Sequence, residues 1–184
     1  MKFITLTIVA SFFFFSGAVN QDVPKGAQFK KEFLERINKI RQKGCNCGKQ
    51  YMPPVAPLVW NDKLEEAAIN HAKDMYKKDY FSHDSKDGRK IVNRIEAAGY
   101  VRKGFKSYQI GENIAQGQPT IAEVTDGWFK SEGHCFNLMQ GGFKEIGVGY
   151  YNTYWVQDFG GREEFSPEAK KLLESGKARI IENN

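Results

Sequence analysis

The chain has 184 residues, 41% of them hydrophobic and 27% charged, with 27 Lys and Arg against 22 Asp and Glu. That length suits one ordinary domain, and that balance excludes a disordered or fibrous chain. The net charge of +5 is small and interspersed, so it gives no footing for nucleic-acid binding and at most favours retention near anionic surfaces.

The first eighteen residues read as a secretory leader. Lys2 gives a basic start, Phe3 to Phe15 is an apolar run, and Ser16, Gly17 and Ala18 are the small residues a signal peptidase needs. The run is shorter than the ~20 apolar residues of a membrane span, so the expectation is export, secreted or periplasmic, with no membrane-spanning segment. Residues 19–28 form a polar lead-in. Phe29, Phe33, Leu34, Ile37 and Ile40 recur at helical spacing and predict a first amphipathic helix ended by Gly44. The stretch Gly44–Pro57 is rich in Cys, Gly and Pro and is expected to be an ordered loop without regular elements.

Asn61 is a good cap for a second helix whose inner face carries Leu64, Ala67, Ala68, His71 and Met75. His71 on that apolar face reads as a hydrogen-bonded core histidine. After a loop at 79–88, Ile91, Ile95 and Ala98 predict a short third helix stopped by Gly99. Residues 108–110 alternate and predict a short strand. Thr120 and Glu123 form a capping box that opens a helix through Trp128. Ser131 is expected to cap a further short helix bearing His134 and Leu138. Ile146, Val148 and Tyr150, then Tyr154, Val156 and Asp158, alternate around Asn152 and predict a β-hairpin. Ser166 and Pro167 open a last helix in a C-terminal extension, 161–184. Helices and strands mixed without βαβ alternation argue for an α+β fold with an antiparallel sheet.

Three cysteines, Cys45, Cys47 and Cys135, fit an oxidising compartment. Cys45 and Cys47 are too close to bridge each other, so one of them is expected to pair with Cys135. Closing a loop of about 90 residues is worth roughly 4 kcal/mol in the chain-entropy model. The chemistry-bearing residues gather in three short motifs: F-S-H-D-S at 81–85, G-E-N-I-A at 111–115 and W-F-K-S-E-G-H at 128–134. Two neutral imidazoles, His83 and His134, and the Glu112 carboxylate could make an open metal site or an acid/base pocket. The bland alternative is that they only knit loops to the sheet. No nucleophile elbow accompanies Ser82, Ser85 or Ser131.

Together with W-N-D-K-L at 60–64, H-A-K-D-M at 71–75, I-G-V-G-Y at 146–150 and Y-W-V-Q-D-F-G at 154–160, these motifs occur in fixed order and resemble the CAP superfamily, the SCP or cysteine-rich secretory domain, in its bacterial form. The resemblance covers roughly residues 29–160 and implies a three-layer α-β-α sandwich. It implies a cleft in which His83, His134 and, with them, Glu112 hold a divalent metal, zinc first, lined also by Ser131 and Glu132. Ser131 stands where the family's eukaryotic branch has a further glutamate. Cys47–Cys135 is the preferred pairing, by a narrow margin over Cys45. The implied function is a secreted module binding a small-molecule, lipid, glycan or peptide ligand. The alternative is a metal-assisted hydrolase of peptides or cell-wall material, with Glu112 as general base.

Overall fold

Strand pairing around the predicted hairpin sets the frame. A computed structural model describes residues 23–180; the leader expected over 1–18 lies outside the described residues. In chain order the elements are α1 (Ala27–Arg41), β1 (Cys45–Cys47), β2 (Gln50–Met52), β3 (Val59–Trp60), α2 (Asp62–Lys78), α3 (Ile91–Ala97), β4 (Ser107–Gln116), α4 (Ile121–Lys130), α5 (Glu132–Met139), β5 (Glu145–Tyr151), β6 (Tyr154–Glu163) and α6 (Pro167–Glu174). The main sheet has the order β3-β5-β6-β4. The β5–β6 and β4–β6 pairs are antiparallel, and the two-residue β3 adds a parallel edge beside β5.

Burial along β6 says how the layers lie. Its residues are buried at eight consecutive positions, so both faces of this strand are covered. Trp155 and Phe159 join Ile146 and Val148 in a core completed by Phe29, Phe33 and Ile37 of α1 and Val124 and Trp128 of α4. Tyr154 and Val156 face the other way, onto Ala68, Ala72 and Met75 of α2. One helical layer is thus α1, α4 and α5, and the other is α2 with α3. The three-layer α+β expectation holds.

The glycines of I-G-V-G-Y explain how closely α2 lies on the sheet. A Cβ on Gly147 would stand 2.0 Å from the Glu65 backbone nitrogen, and one on Gly149 2.2 Å from that of Ile69. Only glycine lets helix backbone and strand backbone meet at that distance. The helix is capped as expected: Asn61 Oδ1 accepts from the Lys63 and Leu64 amides at 3.0 and 3.2 Å. Thr120 likewise accepts from the Glu123 amide, and Ser166 from that of Ala169.

Three expectations need correction. The Gly44–Pro57 stretch is not free of regular structure: β1 and β2 form a small antiparallel hairpin. Gly48, at φ +60, permits the tight reversal between them. The strand expected over 108–110 runs on through the whole G-E-N-I-A motif to Gln116, because β6 offers it a partner at every residue. Ser131 stands at the start of α5, but its side chain makes no capping bond; its backbone carbonyl accepts from the Cys135 amide.

Candidate functional site

The site is built at the sheet's edge, where β4 has a strand neighbour on one side only. Because side chains alternate along a strand, Glu112 and Asn113 point into different helical layers. Glu112 faces α2 and α3. Asn113 faces α5, donating from Nδ2 to the His134 carbonyl (3.2 Å) and to Gln157 Oε1 (3.0 Å). Asn137 of α5 returns the contact, donating to the Glu112 carbonyl at 3.2 Å and to Asn113 Oδ1 at 2.9 Å. This amide lattice fixes the helix carrying His134 against the strand carrying Glu112.

The Glu112 side chain is 3% exposed, and both of its oxygens are engaged. Oε2 accepts from Arg94 Nη2 of α3 at 2.7 Å. Oε1 lies 2.7 Å from His83 Nδ1. A carboxylate can only accept, so Nδ1 carries the proton and Nε2 of His83 is left out of that bond. Arg94 also donates to the His83 carbonyl at 2.8 Å, which holds the F-S-H-D-S loop by its backbone. Burial pushes the Glu112 carboxyl up, but the His83 bond and the Arg94 charge outweigh it and bring it below its ordinary value. The same Glu112 contact raises His83, whose side chain is 56% exposed. His134 is lowered, first by burial and then by the positive charge of His83.

Two participants were not anticipated from the sequence. Arg94 sat in a helix read only for its apolar positions. Asp158 lies directly across from Glu112 in the β4–β6 register and is fully buried, with no donor reaching either oxygen. Burial and the Glu112 charge raise it well above its ordinary value. The available signal was an acid at a position where the alternation Tyr154, Val156, Asp158 calls for an apolar side chain. His71, by contrast, is a core histidine as expected: buried, with Nε2 3.0 Å from the Ser82 carbonyl.

Among the described residues, the only three potential metal-ligand atoms found within 4.8 Å of one another belong to Cys45, Cys47 and Cys135. His83, Glu112 and His134 therefore do not close to that distance as a trio, although the His83–Glu112 pair is in contact. Cys47 and Cys135 are joined in a disulfide, and Cys45 is free. Ser131 is half-buried between α4 and α5, and Glu132 leans over Gly48 at the β1–β2 turn. Neither side chain hydrogen-bonds His83, Glu112 or His134 among the described residues. A separate groove of about 860 Å³, bordered by Phe29, Ile69 and Tyr150, includes none of the site residues.

The edge-strand glutamate is thus clasped between a loop histidine and a helix arginine. The model of the CAP, cysteine-rich secretory protein family matches residues 34–159. The chain belongs to this family. Among its relatives are the uncharacterized protein YkwD of Bacillus subtilis, 33% identical over 136 residues, and the membrane protein YlbC of the same organism, 34% identical over 130. These alignments take in 73% and 71% of the chain but 48% and 34% of the relatives, so the chain spans half of their length or less. An extracellular protein of Bacillus anthracis containing an SCP domain is similar in structure, at 27% identity and a TM-score of 0.56, over 74% of this chain and 44% of that one. An outer surface protein of Borrelia burgdorferi shares the fold at 20% identity, with a TM-score of 0.59, over 76% of this chain and 97% of its own. No helix of this CAP domain, among the described residues, is long and apolar enough to cross a membrane.

Proposed function

We propose that this CAP domain is an exported binding module whose cleft takes a divalent metal, zinc first, through His83 and His134, and presents it to a small-molecule, lipid, glycan or peptide ligand. The observation that carries the reading is the hydrogen bond from His83 Nδ1 to Glu112. A carboxylate that fixes the tautomer of a histidine and leaves Nε2 free is the usual support behind a metal-bound imidazole. The donor set fits zinc: two imidazoles suit a borderline ion and leave it open to a ligand. His134, lowered by burial, is neutral at pH 7 and ready to ligate. His83, raised by Glu112, releases a proton when metal binds.

In this reading Glu112 orients His83 rather than ligating the metal, its two oxygens accepting from His83 and Arg94. Those two bonds also weaken the hydrolytic alternative, in which Glu112 would act as general base: they hold its carboxyl below the ordinary value, which makes it a poorer base. Export rests on the leader-like residues 1–18 and on the extracellular protein of Bacillus anthracis among the similar structures.

Calorimetric titration of the disulfide-intact mature chain with zinc tests the reading. Wild type is expected to bind, His83→Ala/His134→Ala to lose the heat, and Glu112→Gln to bind about 10–100-fold more weakly. Equal affinity in wild type and the double histidine variant would sink the proposal.

A further inference from the structure

The third cysteine is not a bystander to the disulfide. Cys45 and Cys47 are two residues apart on β1, so strand alternation turns both thiols to the same face of the hairpin. That face looks onto α5, where Cys135 is buried with Met139 against Ile40, Met52 and Phe136. Cys47 holds the bond to Cys135, yet Cys45 Sγ lies only 3.8 Å from Cys135 Sγ. All three sulfurs fall within 4.8 Å of one another. One helix sulfur therefore faces two strand sulfurs, and the cluster is short by one thiol of satisfying both. Cys45 is half-buried where Cys47 and Cys135 are sealed.

We propose that these three residues form a thiol–disulfide exchange site, in which Cys135 passes between Cys47 and Cys45. The Cys45 thiolate swings into line with the existing bond and attacks Cys135 Sγ. The Cys45–Cys135 bond forms as the Cys47–Cys135 bond breaks, and the electron pair leaves with Cys47. Cys47 takes up the proton that Cys45 released, so the number of disulfides is unchanged and no oxidant or reductant is consumed. The two isomers differ in which hairpin residue is tied to α5. Cys135 is next in sequence to His134, so the exchange changes the anchorage of the helix that carries one cleft histidine.

Wild-type protein held at neutral pH in a glutathione redox buffer until unchanging, then quenched with acid, tests this directly. Free thiols are alkylated with one label, the disulfide is reduced, and the released thiols take a second label. Cys45 and Cys47 lie together between Lys43 and Lys49, so one tryptic peptide reports both. The first label is expected mostly on Cys45 and on Cys47 in roughly 0.1–10% of molecules, the range of a minor state a few kcal/mol away. First label on Cys47 in less than ~0.1% of molecules would overturn the proposal. As an independent arm, Cys47→Ser is expected to close Cys45–Cys135 and show no free thiol. Two free thiols in folded Cys47→Ser, under conditions where Cys45→Ser closes its own bridge, would overturn it equally.

Discussion

Two buried arginines organise this domain in opposite ways. Arg41, at the end of α1, is fully buried and spends its guanidinium on main-chain carbonyls: Ala56 at 2.9 Å, Leu138 at 2.5 Å, and Gln140 and Phe143 at 3.2 Å each. It has no carboxylate partner among the described residues, and burial lowers it to about 10, still charged at neutral pH. Arg94 is 5% exposed and spends one arm on the Glu112 carboxylate and the other on the carbonyls of His83 and Arg89. The first stitches the segment before β3 and the end of α5 onto α1. The second holds an anion in place on the edge strand of the sheet. The residue type is the same, but only Arg94 is coupled to groups that titrate in the range where proteins work.

The difference is open to test by chemical denaturation at two pH values. The largest loss is expected from Arg94→Met, which strands Glu112 with His83 alone: about 3–5 kcal/mol at pH 7, the usual result of breaking a buried pair. Glu112 is held below its ordinary value in the folded protein, so its contribution is present above about pH 4.5 and is lost as pH falls through its folded value. The gap between Arg94→Met and wild type should therefore narrow in acid. Arg41→Met is expected to lose less, about 2–3 kcal/mol, because orphaned carbonyls are offset by the removal of a desolvated charge. Its loss should be the same at pH 4 and pH 7, since Arg41 titrates far above both. A pH-dependent loss in Arg41→Met would erase the distinction drawn between the two.

The smallest change, and the only gain, is expected from Asp158→Asn. An acid raised on folding lowers stability as pH climbs above its unfolded value near 3.8, and an amide has no such dependence. The variant should be more stable than wild type at pH 7 and no more stable below pH 3.8. The new amide brings donors of its own into a buried position, which limits the gain. A loss at pH 7 would mean that Asp158 is ionised in the folded protein.

What could be read before folding was local. Asn61, Thr120 and Ser166 announce helix starts because a cap bonds to amides two or three residues away. The β5–β6 hairpin is equally self-declared, since its pairing partners are neighbours in the chain. His83, Glu112 and His134 could be singled out by residue type and by family resemblance. Their mutual arrangement could not, because it depends on pairing residues 107–116 with residues 154–163. A single step in that register would turn Asp158 away from Glu112. Arg94 was hidden for a similar reason: a short helix packed on α2 sends its one basic inner position toward a strand that comes later in the chain. The β1–β2 hairpin escaped notice because composition alone marks Cys, Gly and Pro as loop residues and cannot weigh a Gly48 turn held by a disulfide.

Placing the glutamate that holds His83 on the outermost paired strand has one further effect. Glu112 sits beneath the surface while the ring it holds is more than half in water. The ring is open to solvent at the rim, already aimed by a buried acid, without any seam between sheet and helices having to part. Access to this imidazole is thereby decoupled from breathing of the hydrocarbon interior, on a scaffold stiffened by a cystine and a buried guanidinium.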